Sequence, residues 1–335
     1  RNFQGVEIGG SMTHPEAGSP GATRRANVVA GFGSLDEDRF NILATLDYRK
    51  QNALPAIARR FSRTGILGTT RGDILAGTSG TSFPGDVDGF EPSGPKCAPP
   101  ASVPVATAAD PNVFSGCRYD FSQSVDLIPS NEQLTGFLRG TFALTPDHRL
   151  GAEYVYSNYK SVARVAAAPT SHLIQATSPY YPVGAPSRDL AKIIPFFGVT
   201  DPNPGGATLG GSANWRQVPA GQRTSGDDTT TSRFLVDLEG SLGDGVDYRT
   251  AIGRSSNRAT ALVKRGYLNN GIMQKGVWDG IINPFGDQSA ASMALIDSAQ
   301  VAADTRIGKS SVDFVDARVS MDLFKFGAGT VAAAF

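Results

Sequence analysis

Between Phe137 and Lys160 the chain alternates apolar and polar positions. Leu138, Gly140, Phe142 and Leu144 share one parity, and Arg139, Thr141 and Ala143 the other. After Pro146-Asp147 the pattern resumes, with Leu150, Ala152, Tyr154 and Tyr156 set against Gly151, Glu153 and Ser157. Side chains of a strand point to its two faces in turn, so this segment predicts two amphipathic strands joined by a turn of about four residues. Proline presets φ in that turn, and aspartate bonds back to the backbone. The same alternation recurs in "GVEIGGSM", "RANVVAGFG", "RFNILATLDYRK", "RFLVDLEGSL", "VDYRTAIGRS" and "VDARVSMDLF", with a last apolar piece, "TVAAAF". Nine strands are predicted, at 3–13, 23–34, 38–50, 132–145, 149–163, 230–242, 246–261, 311–325 and 328–335. Each has an apolar face and a charged or small one.

The links between these strands are unequal. "SLDED", "TPDH", "GDG" and "KFGAG" are hairpin-length. The alternate connections after the third, fifth and seventh strands run to about eighty, about sixty-five and nearly fifty residues, and only "THPEAGSPGAT" in that set is short. In an up-and-down meander the tight turns then gather at one end and the long loops at the other. Compact soluble domains favour connections of about 4–6 residues, whereas outer-membrane barrels combine short periplasmic turns with long extracellular loops. The expected fold class is all-β: an antiparallel up-and-down transmembrane β-barrel, partial, with about nine strands and long extracellular loops. Its charged face would line a wet lumen and its apolar face would meet lipid. Phe40, Tyr48, Tyr154 and Tyr156 would form the interfacial aromatic belt. A soluble β-sandwich alternates in the same way and stays open on periodicity alone.

Composition narrows the function classes. Thirty-one Lys and Arg balance 31 Asp and Glu, so charge gives no case for a nucleic-acid partner. The 39 glycines and 21 prolines suit many turns rather than long helices. No run of 18 apolar residues predicts a transmembrane helix. The chain starts at Arg1 without a signal-peptide pattern, the expectation for a processed product or a piece of a longer chain.

Catalytic chemistry is not in evidence. His14, His148 and His172 are far apart without metal spacing, and surface or turn positions are expected for them. "GKS" at 308–310 mimics the end of a phosphate loop, but Ala303 stands where its first glycine belongs and a strand follows. "RGD" at 71–73 carries no role. No enzyme activity, metal or cofactor is expected. "LPAIARRF" and "QSAASMALIDSAQVAA" predict helical pieces in the loops, the second with Asp287 as N-cap.

The order "FQGVEIGGS", "GFGSLDEDRFNILATLDYRKQNAL", "TSFPG", "CRYDFSQSVDLIPSNEQLTGF", "LRGTFALTPDHRLGAEYVYS" and "APTSHLIQATSPYYP" resembles the barrel of TonB-dependent outer-membrane receptors. "WRQVPAGQRTS", "KRGYLNNGIMQKGVWDGIINPFGDQ" and "DARVSMDLFKFGAGTVAAAF" resemble the same barrels, so the likeness covers residues 1–335 as one partial barrel domain. The family couples a plug domain to a barrel of 22 strands. By this resemblance the plug and energy-coupling segment (the TonB box) would precede Arg1, and further strands would follow Phe335. The resemblance implies a multi-pass barrel in the outer membrane of a Gram-negative cell. It would take up a scarce nutrient, such as an iron-siderophore, a cobalamin, a saccharide or a peptide, with energy from the TonB–ExbB–ExbD complex. The implied partners are its own plug, outer-membrane lipid and the small-molecule ligand. A passive porin and a secreted β-sandwich adhesin are the alternatives.

On that reading Arg25, Arg39, Arg49, Arg139, Arg249, Glu153, Asp237 and Glu239 would face the lumen and hold the plug through paired charges. The loop aromatics include Phe196 and Phe197. Tyr180, Tyr181, Trp215, Tyr267 and Trp278, with Arg216 beside Trp215, are the candidate ligand contacts, or else they pack loop against loop. Cys97 and Cys117 lie in one exported loop, where an oxidising exterior would link them; free thiols are the alternative.

Overall fold

The computed structural model describes residues 2–15, 20–243 and 245–335. Residues 16–19 of the first connection and Asp244 of the "GDG" turn lie outside them. The chain begins with β1 (Gly5–Thr13), β2 (Thr23–Phe32) and β3 (Phe40–Gln51). The first long connection carries β4 (Leu54–Pro55), α1 (Arg71–Ala76), β5 (Asp86–Val87), β6 (Ser102–Ala106), β7 (Phe114–Tyr119) and β8 (Asp126–Ile128). It leads to β9 (Ser130–Ala143) and β10 (His148–Val165). The second connection holds β11 (Pro169–Gln175), β12 (Arg188–Asp189) and β13 (Leu209–Arg216), and leads to β14 (Arg223–Ser241) and β15 (Val246–Arg265). The third holds α2 (Asn270–Trp278) and α3 (Ala290–Ser298), before β16 (Ala303–Phe326) and β17 (Gly329–Ala334).

The protein is all-β, and nine strands build one large antiparallel sheet in the order β1-β2-β3-β9-β10-β14-β15-β16-β17. These are the nine strands predicted from the alternation, paired in sequence order. The largest extensions are at the starts of β14, at Arg223, and β16, at Ala303, and β15 runs on to Arg265. The added pieces, "RTSGDDT" and "ADTRIGKS", are polar on both faces, so the ladder continues where the alternation has stopped.

Register sorts the side chains cleanly. One hydrogen-bonded row reads Phe32, Ile42, Gly140, Ala152, Val236, Ile252 and Val315 across seven strands. The next row on the other face reads Leu43, Arg139, Glu153, Leu235, Gly253 and Phe314. No second layer covers the apolar face among the described residues: Phe142 is 43% exposed, Phe234 50% and Val315 74%. The opposite face is the more shielded, with Asn41, Leu235, Asp237 and Ala251 buried.

The hydrophobic cores lie in the loops instead. Val87 of the first long connection packs with Ile174, Ala213 and Trp215 of the second and Met273, Val277, Ile282 and Ile296 of the third. A smaller cluster joins Leu173, Leu190 and Ile194 to Trp278. Local capping fixes the helices. In α2 the Asn269 side chain accepts from the N–H groups of Gly271 and Ile272. In α3 the N-cap is Ser289 rather than Asp287, because Gln288 and Asn283 still hold the chain around Asp287 in a loop. "LPAIARRF" forms β4 and a 3₁₀ turn at Ala56–Ala58. "RGD" opens α1, where Thr70 and Asp73 make a capping box.

Candidate functional site

Two regions concentrate polar chemistry: the charged face of the sheet and the cap built by the long loops. On the sheet, Arg139 of β9 reaches across β10 to β14. Its Nη1 lies 3.3 Å from Glu153 Oε2, and its Nη2 2.9 Å from Asp237 Oδ1 and 3.0 Å from Oδ2. Arg233 pairs with the other Glu153 oxygen, and Arg249 Nη2 stands 3.8 Å from Asp237. Gly151 of the intervening strand makes the crossing feasible, since a Cβ there would lie 2.5 Å from both Arg139 Nη2 and Asp237 Oδ1. Asp237 is 1% exposed and is held between two guanidinium groups, as a buried carboxylate requires. Arg25 pairs with Asp47 at 2.6 Å on the same face. Arg49 stands directly between Arg25 and Gln133 in that row, and Glu239 opposite Arg149 and Arg249.

Arg39 departs from the expected lumen set. It precedes β3 with φ 65°, and its guanidinium donates to the carbonyls of Ala143 and Leu144. The left-handed backbone swings it over the end of β9, so it caps a hairpin instead of lining the charged face.

In the cap, Trp215 is fully buried and donates its indole N–H to His172 Nδ1 at 3.0 Å. His172 Nε2 meets Asn270 Oδ1 of α2 at 3.1 Å, which fixes the proton on Nε2. His172 is thus a core residue, not the surface or turn histidine expected, and burial lowers its pKa to about 4. Gln274 exchanges two 3.0 Å bonds with the backbone of Leu173, tying α2 to β11 as another strand would. Arg216, also buried, donates to the carbonyls of Thr81 and Ala167 and lies 4.5 Å over the Tyr119 ring. Burial lowers its pKa.

The six candidate ligand contacts therefore have structural partners. Tyr180 and Tyr181 pack on the core around Trp215, and Trp278 enters the second cluster with its indole donating to Thr200 O. Tyr267 is half-buried, its carbonyl accepting from Val301 N–H. Tyr180, Tyr181, Trp215, Arg216 and Trp278 thereby tie the long loops to one another.

Cys97 and Cys117 are bonded, with an S–S distance of 2.00 Å. Beside them lies a cavity of about 210 Å³ lined by Arg71, Asp86, Glu91, Cys117 and Arg118. Glu91 Oε1 accepts from Cys117 N–H at 2.7 Å, while its Oε2 is buried with no hydrogen-bond partner among the described residues. Burial pushes the Glu91 carboxyl up to about 7 and also raises that of Asp86. Arg118 donates to Thr78 Oγ1 and to Thr78 O, and burial lowers its pKa. Nothing in the sequence pattern marked Glu91 or Arg118; only the nearness of Glu91 to Cys97 hints at a role. A wider hollow of about 620 Å³ opens next to it, lined by Thr70, Arg71, Pro104, Ala106, Pro111 and Phe114. No group of three or more His, Cys, Asp or Glu fit to hold a metal occurs among the described residues. The chain matches no known family model and no curated protein.

Proposed function

We propose that this sheet is part of the wall of a transmembrane β-barrel in an outer membrane, and that the chain belongs to an energised uptake receptor for a scarce nutrient. The observation that carries the membrane reading is a slip of the apolar band across the sheet. On β2 the outward parity turns polar at Arg24, whose row continues through Lys50, Glu132, Lys160, Asp228 and Thr260 to Ile307. On β16 the first polar outward residue is Asp313, six residues along from Ile307. At the short-turn end the band closes at Phe32 on β2, in the row of Val315, yet reaches Leu323 on β16, eight residues along.

Both borders slip in the same direction over six strand-to-strand steps, by six and by eight residues. Six to eight residues span about 20–26 Å, and six steps about 29 Å, so the band lies about 35–42° oblique to the hydrogen-bonded rows. A flat hydrocarbon slab crossed by tilted strands requires such a slip, and barrels tilt their strands by about 35–45°. Water around a soluble sheet imposes no common plane on both borders.

The charged face supports the receptor over a passive porin. Its ions are of both signs, with Arg25, Arg139, Arg233 and Arg249 paired to Asp47, Glu153 and Asp237, which suits an interface with a plug better than an ion-selective pore. The cap adds a hollow beside Arg71 where a ligand with an anionic group would dock. Planar-bilayer conductance of the full-length protein tests this reading. A plugged receptor shows no steady current until its plug is displaced by denaturant. A porin conducts from the start, and an adhesin never enters the bilayer.

A further inference from the structure

We propose that the outward face of β15 and β16, at the long-loop end, carries a binding site for the phosphate headgroup of a membrane lipid; this rests on the membrane reading above. Arg258 and Lys309 are direct cross-strand partners, both exposed. Like charges placed opposite each other repel. The like pair Arg24 and Lys50 on the same face has Glu132 opposite Lys50, whereas Arg258 has only Thr230 opposite it on β14. Neither Arg258 nor Lys309 has a counter-ion among the described residues. Two outward carboxylates of this region are engaged elsewhere, Asp313 at 3.6 Å from Arg254 and Asp228 at 3.6 Å from Lys160. Asp304, two rows beyond on β16, makes no ion pair with either cation.

Their position matches a headgroup. Moving from the apolar band toward the loops, the rows read Ile252 with Val315, then the Arg254–Asp313 pair, then Ser256 with Ser311, then Arg258 with Lys309. Ser232 and Thr230 extend the last two rows on β14. Thr230, Ser232, Ser256, Arg258, Lys309 and Ser311 line a cleft of about 510 Å³. The hydroxyls of Ser232, Ser256 and Ser311 make no hydrogen bond to another described residue. A phosphate seated there would receive two cations and up to three hydroxyl donors, while its acyl chains lie along Ile252, Val315 and Phe234. The stems of Arg and Lys are long enough to fold back toward the band while their heads stay at the headgroups. A basic pair just outside a hydrocarbon surface is how proteins hold anionic lipids.

The test uses the full-length protein in nanodiscs of phosphatidylcholine containing a minor fraction of phosphatidic acid. Native mass spectrometry counts the lipids that remain bound. The double variant Arg258→Gln, Lys309→Gln should retain roughly tenfold less phosphatidic acid with unchanged phosphatidylcholine. Arg258→Lys should retain it, and Arg24→Gln with Lys50→Gln, on the same face at the far strands, should leave it unchanged. Equal retention by the Arg258, Lys309 double variant would overturn the proposal. So would displacement of the lipid by millimolar inorganic phosphate, which would make this a free-anion site. If the protein enters the nanodisc but the variants change nothing, only this site falls; if it never enters, the membrane reading falls with it.

Discussion

Asp237 shows what a single side chain contributes. With 1% of its side chain exposed, its charge is sustained by Arg139 at 2.9 Å and, less closely, by Arg249 at 3.8 Å. Arg139→Met should destabilise the protein by about 3 kcal/mol, because it strands a buried carboxylate. Adding Asp237→Leu should restore most of that loss, as measured by thermal unfolding in detergent. His172 makes a pH-dependent contribution. Its folded pKa of about 4 lies below the usual 6.5, so between those values the opened cap takes up a proton that the closed cap refuses. The His172 contribution to cap stability should fall as pH drops through that window, by up to about 3 kcal/mol, against the opposite trend of the raised Glu91 carboxyl in the first loop. Amide exchange in β11 and α2 at pH 5 and pH 7 reads this out, and His172→Gln should remove the difference. Alternation along the chain placed Arg139, Glu153 and Asp237 on one face. It could not place Arg39, whose direction follows from a positive φ at a turn, nor His172, whose burial depends on two distant loops.

Among the elements, the sheet strands were legible because their period of two is a property of local sequence. The cap was not. Its core takes Val87, Trp215 and Met273 from three separate connections, and none of them has a periodic pattern of its own. The α2 helix has a local cap in Asn269, but Gln274 and Val277 hold it against partners about a hundred residues away, which no local pattern announces. The second polar segment of β16 was missed for a different reason: backbone pairing continues without any apolar face to signal it. The Cys97–Cys117 bond, 20 residues apart, closes the part of the first loop that carries β6 and β7. Reduction should lower the stability of that segment by about 3 kcal/mol of loop entropy. Limited proteolysis should then cut between Cys97 and Cys117 in the reduced protein and not in the oxidised one, while the large sheet stays resistant in both.

At the scale of the whole molecule, the apolar material is divided in two. The loops bury theirs in a shared core, and the sheet displays its own on an open face bounded by two borders oblique in the same sense. In water, a face including Phe32, Leu138, Phe234 and Val315 would far exceed the few hundred Å² that soluble monomers usually expose. In the proposed barrel that face contacts lipid, and the oblique borders follow the two surfaces of the hydrocarbon layer. The most direct measurement is label scanning along β3 and β16 of the full-length protein in liposomes, with quenchers carried by lipid or dissolved in water. Lipid-borne quenching should follow positions 42, 44 and 46 on β3 and 315, 317 and 319 on β16, skip 45 and 316, and end at positions 50 and 313. Uniform access to the aqueous quencher at both parities, or a monodisperse protein that stays in the water phase, would contradict the account.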